Sequence, residues 1–159
     1  MSEIRSNTIQ AHIACYNKEL EVYEYLLLQR ADNLDLYPTM WQVVTGWIED
    51  GETAVEAAKR EITEETGLEI LKMWTVPYIT SFYNPPMDQI HFSSVFGVLV
   101  RNKEKLQLSF EHQDYKWLKY GECISFLELP SHQEATRIFS KFVLAGEMKD
   151  FLLIEDASE

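Results

Sequence analysis

Acidic residues and glycines are concentrated in one short segment of the sequence, residues 46–69. Eight of its 24 residues are Asp or Glu and only two are Lys or Arg, so it carries −6 of the chain's net charge of −12. Three of the six glycines fall in the same segment. Clustered carboxylates can bind hard divalent cations or transfer protons. We therefore expect the chemistry of this protein to reside in residues 46–69.

The spacing of these residues predicts a helix that presents a carboxylate face. Thr53 and Glu56 have the spacing of a capping box, which predicts a helix N-terminus at Thr53. Gly67 is placed as the glycine just past the end of that helix. Three carboxylates then fall within an arc of about 100°: Glu61, Glu64 and Glu65. An adjacent apolar stripe can pack on a sheet: Val55, Ala58 and Ile62.

Three carboxylates in the last turns of a helix repel one another and the negative end of the helix dipole. Each dipole contact costs about 0.3–1 kcal/mol, and no Lys or Arg lies in the final turn. A bound divalent cation would offset this repulsion, and oxygen ligands suit Mg²⁺, with Mn²⁺ as an alternative. The competing interpretation is a solvated acidic face, but Gly46 and Gly51 upstream indicate a close backbone approach that a surface helix does not need.

The complete pattern of this segment resembles the Nudix box, G-x5-E-x7-R-E-U-x-E-E-x-G-U, in which U is an apolar residue. All nine defined positions match over residues 46–68. The resemblance implies an α/β (α+β) fold of the Nudix type, an α/β/α sandwich with a mixed sheet between helices, over nearly the whole chain. It also implies hydrolysis of a nucleoside diphosphate linked to another group.

The resemblance to Nudix enzymes also implies roles for individual residues. The expected ligands of the divalent cation are four side chains and the backbone carbonyl before the box glycine: Glu61, Glu64, Glu65, Glu111 and Thr45. Many family members have two glycines where this chain has Thr45-Gly46. Glu52 and Arg60 resemble the pair that braces the loop against the helix, and Gly46 and Gly67 complete the structural part of the box.

The general base is a carboxylate that takes a proton from the attacking water, and three candidates remain open: Glu61, Glu64 and Glu111. Several short motifs are similar to bacterial dATP/dihydroneopterin triphosphate pyrophosphohydrolases, and they also recur in diadenosine polyphosphate hydrolases. They are Trp41-Gln42-x-x-Thr45-Gly46, Glu111-His112-x-x-Tyr115-Lys116-Trp117-Leu118 and the region around Ala135. In the pyrophosphohydrolases the acid that matches Glu111 looks like a further metal ligand or the base.

Further residues outside the helix are candidates for substrate binding. Arg30 ends a predicted strand beside the box, where its guanidinium can reach a phosphate. Trp47, Tyr83 and Phe82 are candidates for stacking on a base. Surface or core packing is the alternative interpretation for each of them.

The rest of the chain predicts strands around the acidic helix and a second helix near the C-terminus. Alternating apolar residues predict a strand at residues 9–15, with a return strand at 22–30. Further strands are predicted at residues 41–45, 71–82 with an interruption at Pro77, 90–100 and 115–118. Ser131 and Glu134 have capping-box spacing, which predicts that the last helix begins at Ser131.

Length and composition predict the class of protein. A single domain over residues 1–159 is expected from the length, and 46 % apolar residues exclude a disordered chain. No apolar stretch approaches the ~20 residues of a membrane span. Two cysteines and no secretory leader favour a cytoplasmic protein. The net charge of −12 speaks against binding to duplex nucleic acid.

Three functions remain open at this point. The leading hypothesis is Mg²⁺-dependent hydrolysis of a phosphoanhydride bond in a nucleoside or pterin triphosphate, giving a monophosphate and pyrophosphate. A dinucleoside polyphosphate hydrolase differs in that its pocket admits a second nucleoside. A non-catalytic nucleotide sensor of the same family usually lacks box carboxylates, which this chain keeps. A homodimer is compatible with each of them.

Overall fold

The computed structural model describes residues 1–158. In these residues the elements are β1 (Glu3–Asn17), β2 (Val22–Arg30), β3 (Trp41–Gln42), β4 (Val44–Trp47), α1 (Ala54–Thr66), β5 (Ile70–Asn84), β6 (Gln89–Val100), β7 (His112–Lys119), α2 (Tyr120–Phe126), α3 (Pro130–Arg137) and β8 (Leu153–Asp156). The chain continues beyond α3 as a π-helical segment, Ile138–Leu144. None of the helices in residues 1–158 has the length and apolar character needed to cross a membrane.

The strands form one mixed sheet with the order β3-β2-β1-β6-β5-β8. β1 and β6 run parallel, whereas the other paired strands are antiparallel. β1 and β2 pair only near their shared turn, through residues 14–17 and 22–25. Beyond that point β4 pairs with β1 and β3 pairs with β2, so residues 41–47 fill the space between the separating strands. This split in the sheet positions the candidate site.

Helices cover both faces of the sheet. α1 packs on one face, where Ala58 and Ile62 join an apolar cluster with Ile9 and Ala11 of β1. The other face carries a second cluster that includes Cys123 of α2, Ala135 of α3 and Phe139 of the π-helical segment. This layering is the expected α/β/α sandwich with a mixed sheet.

α1 begins and ends where the sequence predicts. The Thr53 hydroxyl accepts a hydrogen bond from the Glu56 amide, and the Glu56 carboxylate accepts one from the Thr53 amide. Gly67 has a φ of 65°, a left-handed conformation that glycine adopts without strain, and its N–H donates to the Thr63 carbonyl. Ala58 and Ile62 of the predicted apolar stripe are buried, while Val55 is only partly buried.

Two strand predictions are corrected by the structure. Residues 41–45 are not one strand, because the chain divides at Val43 into β3 and β4, which pair with different partners. Pro77 does not interrupt β5, which continues to Asn84. The register of β5 against β6 shifts between Thr75 and Ile79 instead, and such an irregularity accommodates a residue that has no N–H to donate.

The predicted start of the last helix is also wrong. α3 begins at Pro130, and its N-cap residue Leu129 makes no side-chain cap. Proline suits the first helical position because its φ is already close to the helical value and its missing N–H would be unpaired there. Ser131 is therefore inside the first turn and forms no capping box with Glu134. The short elements α2 and β8 were not predicted.

The polar face of β1 does not face solvent. Thr8, Gln10 and His12 alternate with the apolar residues of the strand, yet only 7 %, 2 % and 2 % of their surfaces are exposed. α3 lies over this face, and Thr136 of α3 contacts the His12 ring. The alternation of apolar and polar residues therefore predicted the strand correctly, but it did not predict that the polar face is buried.

Two buried histidines predict a pH-dependent stability. Burial, with a smaller contribution from His132, lowers the pKa of His12 to about 3, and burial lowers the pKa of His132 to about 4. Below the ordinary pKa of about 6.5 the unfolded chain binds protons that the folded chain does not, so unfolding becomes easier as the pH falls from 6.5 towards 4. Each histidine contributes up to about 1.4 kcal/mol per pH unit.

We expect urea unfolding to reveal this contribution when wild type is compared with His132→Gln. The unfolding free energy of wild type should fall relative to that of the variant between pH 6.5 and 4, because glutamine does not titrate. A difference between the two proteins that is constant over this range would contradict the neutral state assigned to His132.

Candidate active site

A cavity of about 540 Å³ lies beside the split in the sheet, within the ~300–1,000 Å³ range of small-molecule sites. It collects side chains from strands, from the end of α1, from the start of α3 and from two loops. Nine of the candidate site residues line it: Arg30, Thr45, Gly46, Trp47, Glu61, Glu65, Phe82, Tyr83 and Glu111. Glu64 does not line the cavity, and 58 % of its side-chain surface is exposed.

Glu65 is the most buried carboxylate of the cavity. Only 4 % of its surface is exposed, and its Oε2 atom has no hydrogen-bond partner within the described residues. Burial raises the pKa of the Glu65 carboxyl, and the charges of Glu61 and Glu111 raise it further. Burial also raises the pKa of Glu61. The carboxylates of this end of the cavity therefore destabilise one another.

Arg60 connects the loop before α1 to the carboxylate face. Its Nε donates to Glu52 Oε2 at 2.7 Å and its Nη2 donates to the Trp47 carbonyl at 2.9 Å. These contacts are the bracing arrangement expected for Glu52 and Arg60. The Nη1 atom also donates to Glu61 Oε1 at 2.8 Å and to Glu64 Oε2 at 3.2 Å. Arg60 thus offsets part of the repulsion between the carboxylates without a cation, although it makes no contact with Glu65.

The residues present fit a hard divalent cation. In residues 1–158 no three Asp, Glu, His or Cys side chains form a ready-made metal cluster, and two of the expected ligands, Glu61 and Glu64, are held by Arg60. The unpartnered Oε2 of Glu65 is nevertheless a buried acceptor beside two other acids, and a cation would satisfy it and offset the repulsion between the three carboxylates. Carboxylate and carbonyl oxygens are the ligands that Mg²⁺ and Mn²⁺ prefer.

Gly46 allows β4 to approach Glu61 of α1 closely. A Cβ atom at position 46 would lie 2.3 Å from Glu61 Cδ. We expect Gly46→Ala to displace the Glu61 side chain and to lower the unfolding free energy by about 1–3 kcal/mol, as overpacked substitutions do. Urea unfolding measures this loss.

Gly121→Ala is the matched control. A Cβ atom at position 121 would meet nothing within 4 Å, and the residue lies in α2, where alanine favours the helix by about 0.5–1 kcal/mol. Equal losses of stability in the two variants would contradict the steric role of Gly46.

Glu111 is positioned by a loop that is tied to the end of α1. Gln107 N–H donates to the Thr66 carbonyl at 2.8 Å, and Ser109 N–H donates to the Glu65 carbonyl at 3.3 Å. The Glu111 carbonyl accepts from Ala31 N–H at 2.9 Å. Backbone contacts to two neighbouring segments therefore place a residue outside the box next to Glu65.

The four candidate substrate-binding residues all line the cavity. The Arg30 Nε donates to the Leu36 carbonyl at 2.8 Å, which leaves the rest of its guanidinium for other acceptors. Trp47 is half exposed and meets the His91 ring edge-on. Tyr83 is also half exposed, and its hydroxyl donates to Asp88 Oδ1 at 3.1 Å. The Phe82 ring stacks on the His91 ring.

The structure adds a set of polar residues that the sequence analysis did not select. They belong to strands and to the start of α3 rather than to α1: Thr8, Gln10, Gln42, Thr80, Ser93, Ser131 and His132. The available signal was the polar face of β1, which resembled a solvent-facing side of a strand. Gln42 lies within the motif Trp41-Gln42-x-x-Thr45-Gly46, which by itself indicates no role for the glutamine.

Comparison with known proteins gives a consistent result. The sequence pattern of the NUDIX domain matches residues 7–142. The nucleoside triphosphatase NudI of Escherichia coli K12 is 28 % identical over 109 residues, which cover 64 % of this chain and 77 % of that protein.

Two solved structures share the fold. The Ap4A hydrolase of C. elegans, in a binary complex, superposes with a TM-score of 0.71 at 22 % identity and covers 85 % of this chain and 95 % of its own. The dihydroneopterin triphosphate pyrophosphohydrolase of E. coli superposes with a TM-score of 0.67 at 24 % identity and covers 86 % and 98 %.

Proposed function

The chain belongs to the Nudix family of hydrolases, which act on acid anhydride bonds, and on that premise we propose that it hydrolyses a nucleoside or pterin triphosphate to a monophosphate and pyrophosphate. One observation carries the proposal: a single cavity of about 540 Å³ combines Glu61, Glu65 and Glu111 with a separate wall of buried polar side chains. The acidic part suits the polyphosphate with its cation, and the polar part suits a heterocycle.

The proposed cofactor is Mg²⁺, which Mn²⁺ can replace. Three carboxylates and one carbonyl would hold it: Glu61, Glu64, Glu65 and Thr45. Glu111 is the fourth carboxylate ligand only in the alternative in which Glu61 is the base. When bound, the cation supplies the positive charge that neutralises the phosphate oxygens and stabilises the charge developed in the reaction. The unpartnered oxygen of Glu65 supports this assignment.

The other groups of the cavity have proposed roles in positioning and proton transfer. Glu111 is our preferred general base, because it lines the cavity on a loop tied to α1, while the Glu64 carboxylate lies outside the lining. Glu61 remains the alternative base. Arg30 is proposed to donate to a phosphate oxygen, and Trp47 and Tyr83 to contact the base or the sugar.

A second candidate is hydrolysis of dinucleoside polyphosphates. It is favoured by one observation: four aromatic side chains of the cavity wall remain about half exposed and can stack on more than one heterocycle. They are Tyr37, Trp47, Phe82 and Tyr83. A second nucleoside stacked on this surface would extend beyond the cavity.

Identification of products separates the two candidates. We expect purified protein with Mg²⁺ to release pyrophosphate and a monophosphate from dATP or dihydroneopterin triphosphate, as detected by anion-exchange chromatography. Faster hydrolysis of diadenosine tetraphosphate, with ATP and AMP as products, would favour the second candidate. Release of orthophosphate from the triphosphates would contradict the proposed reaction.

A further inference from the structure

The wall of the cavity on the α3 side is built from buried polar side chains. Thr8, Gln10, Ser93, Thr80 and His132 line it, and each is less than 9 % exposed. Burial of polar groups is unfavourable unless they form hydrogen bonds. Thr8 bonds Ser93 and Gln10 bonds His12, whereas His132 Nδ1 has no partner within residues 1–158, so part of the hydrogen-bonding capacity of the wall is unused. The wall is therefore suited to form hydrogen bonds with a heterocycle.

A chain of hydrogen bonds behind this wall determines the orientation of Gln10. The carbonyl of His132 can only accept, so its 2.8 Å contact with Thr136 Oγ1 requires Thr136 to donate. The Thr136 oxygen must then accept from Nδ1–H of His12, at 3.1 Å. Because His12 is neutral and carries one ring proton, its Nε2 accepts from Gln10 Nε2 at 2.7 Å. The amide nitrogen of Gln10 consequently points to His12.

The same orientation leaves the other amide atom of Gln10 for a ligand. Oε1 of Gln10 receives no hydrogen bond from residues 1–158, and the side chain lines the cavity. A carbonyl oxygen at this position attracts an N–H donor and repels another carbonyl. An amino group on a heterocycle is such a donor, and its replacement by oxygen turns the donor into an acceptor.

We propose that Gln10 is a specificity-determining residue whose Oε1 accepts a hydrogen bond from an exocyclic amino group of the substrate. This inference rests on the proposed function and names its substrate class: triphosphates of amino-bearing heterocycles such as adenine, guanine or a pterin, in preference to their deaminated counterparts. A site built to bond a donor rejects an analogue that lacks it, because a buried acceptor is then left unpaired.

Pairs of nucleotides that differ only by the presence of an exocyclic amino group test the proposal. We expect wild type to bind AMP over purine riboside monophosphate, or GMP over IMP, by about tenfold in Kd, the effect of one hydrogen bond and one unpaired acceptor. Calorimetry in EDTA measures this without hydrolysis. The ratio of kcat/KM for dATP over deoxypurine riboside triphosphate, or dGTP over dITP, should show the same preference.

Gln10→Met removes the acceptor at similar volume. The variant should lose affinity for the amino member of the pair only, so that the ratio approaches one. Gln42→Met is the matched control, since Gln42 is an equally buried glutamine of the same cavity that bonds His112. Gln42 pairs in register with Leu28, whose side chain lies on the α1 side of the sheet. Because paired residues share a face, the Gln42 side chain lies on that side as well and not on the side of Gln10. This variant should leave the ratio unchanged.

Thr136 tests the positioning chain without altering the wall. Thr136→Val removes the hydroxyl that fixes the His12 proton, so Gln10 can reverse its amide and the preference should fall. Thr136→Ser retains the hydroxyl and should restore the preference to near the wild-type ratio. A structural role alone would not distinguish these two variants by nucleotide preference.

The outcomes separate this inference from the proposed function. The role of Gln10 would be overturned if wild type showed no preference for the amino-bearing nucleotide of either pair. It would also be overturned if Gln10→Met lost affinity equally for both nucleotides of a pair. Absence of hydrolysis together with a preserved binding preference would overturn the proposed reaction and leave the role of Gln10 supported.

Discussion

Glu65→Gln is expected to lower kcat at least about a hundredfold at saturating Mg²⁺, which corresponds to about 2.7 kcal/mol of transition-state stabilisation. Glu65 is buried at the acidic end of the cavity, and its Oε2 has no partner within the described residues. Glutamine has nearly the same shape but offers one neutral oxygen instead of a charged pair. The fold should therefore persist while the cation loses a charged ligand.

The same substitution is expected to stabilise the metal-free protein. Burial and the neighbouring acids Glu61 and Glu111 raise the pKa of Glu65. A carboxyl whose pKa is raised on folding contributes stability that is fully present below its unfolded pKa of about 4.3 and is lost as the pH rises towards the folded pKa. Glutamine does not titrate, so the advantage of the variant should increase above pH 5.

Thermal unfolding in EDTA at pH 5 and pH 8 measures this effect, and Mg²⁺ provides the complementary measurement. Mg²⁺ should raise the Tm of wild type, because a ligand that binds only the folded state stabilises it, and it should raise that of Glu65→Gln much less. Glu69→Gln is the control, since Glu69 is an exposed acid just beyond α1 that pairs with Arg101. Near-normal turnover of Glu65→Gln at saturating Mg²⁺ would reject the proposed role in metal binding.

Glu111→Gln is the substitution with the second large expected effect. If Glu111 takes the proton of the attacking water, its loss should lower kcat by about 10²–10⁴-fold, while KM and Mg²⁺ affinity change much less. The loop that holds Glu111 is bonded through its backbone to Thr66 and Glu65. The substitution therefore removes a charge without removing a structural contact of the loop.

The separation of kcat from Mg²⁺ affinity distinguishes Glu111 from the alternative base. In Glu111→Gln kcat should fall while Mg²⁺ affinity is retained, whereas in Glu61→Gln both should fall, because Glu61 is a proposed ligand. Asp114→Asn, an exposed acid of β7, is the control for a change of charge nearby. A reduced Mg²⁺ affinity in Glu111→Gln with a nearly unchanged kcat at saturating Mg²⁺ would assign Glu111 as a metal ligand and return the base to Glu61.

Local features of the chain were determined by the sequence itself. The capping pair Thr53 and Glu56 and the left-handed Gly67 set the ends of α1, because both signals act over a few residues and need no distant partner. The pattern of residues 46–68 also indicated the family, because all of its defined positions lie within one continuous segment. The bracing contact of Arg60 with Glu52 also followed from this local pattern.

The assembled cavity was decided only by the tertiary structure. Gln10 and Thr136 are distant in sequence, and the packing of α3 over β1 alone turns a polar strand face into a buried wall. The side-chain period of a strand reports which residues share a face but not what covers that face. Likewise, helix spacing placed Glu61, Glu64 and Glu65 on one face of α1. Only the tertiary structure showed that the loop of Glu111 encloses Glu65, while Glu64 remains exposed beside Arg60.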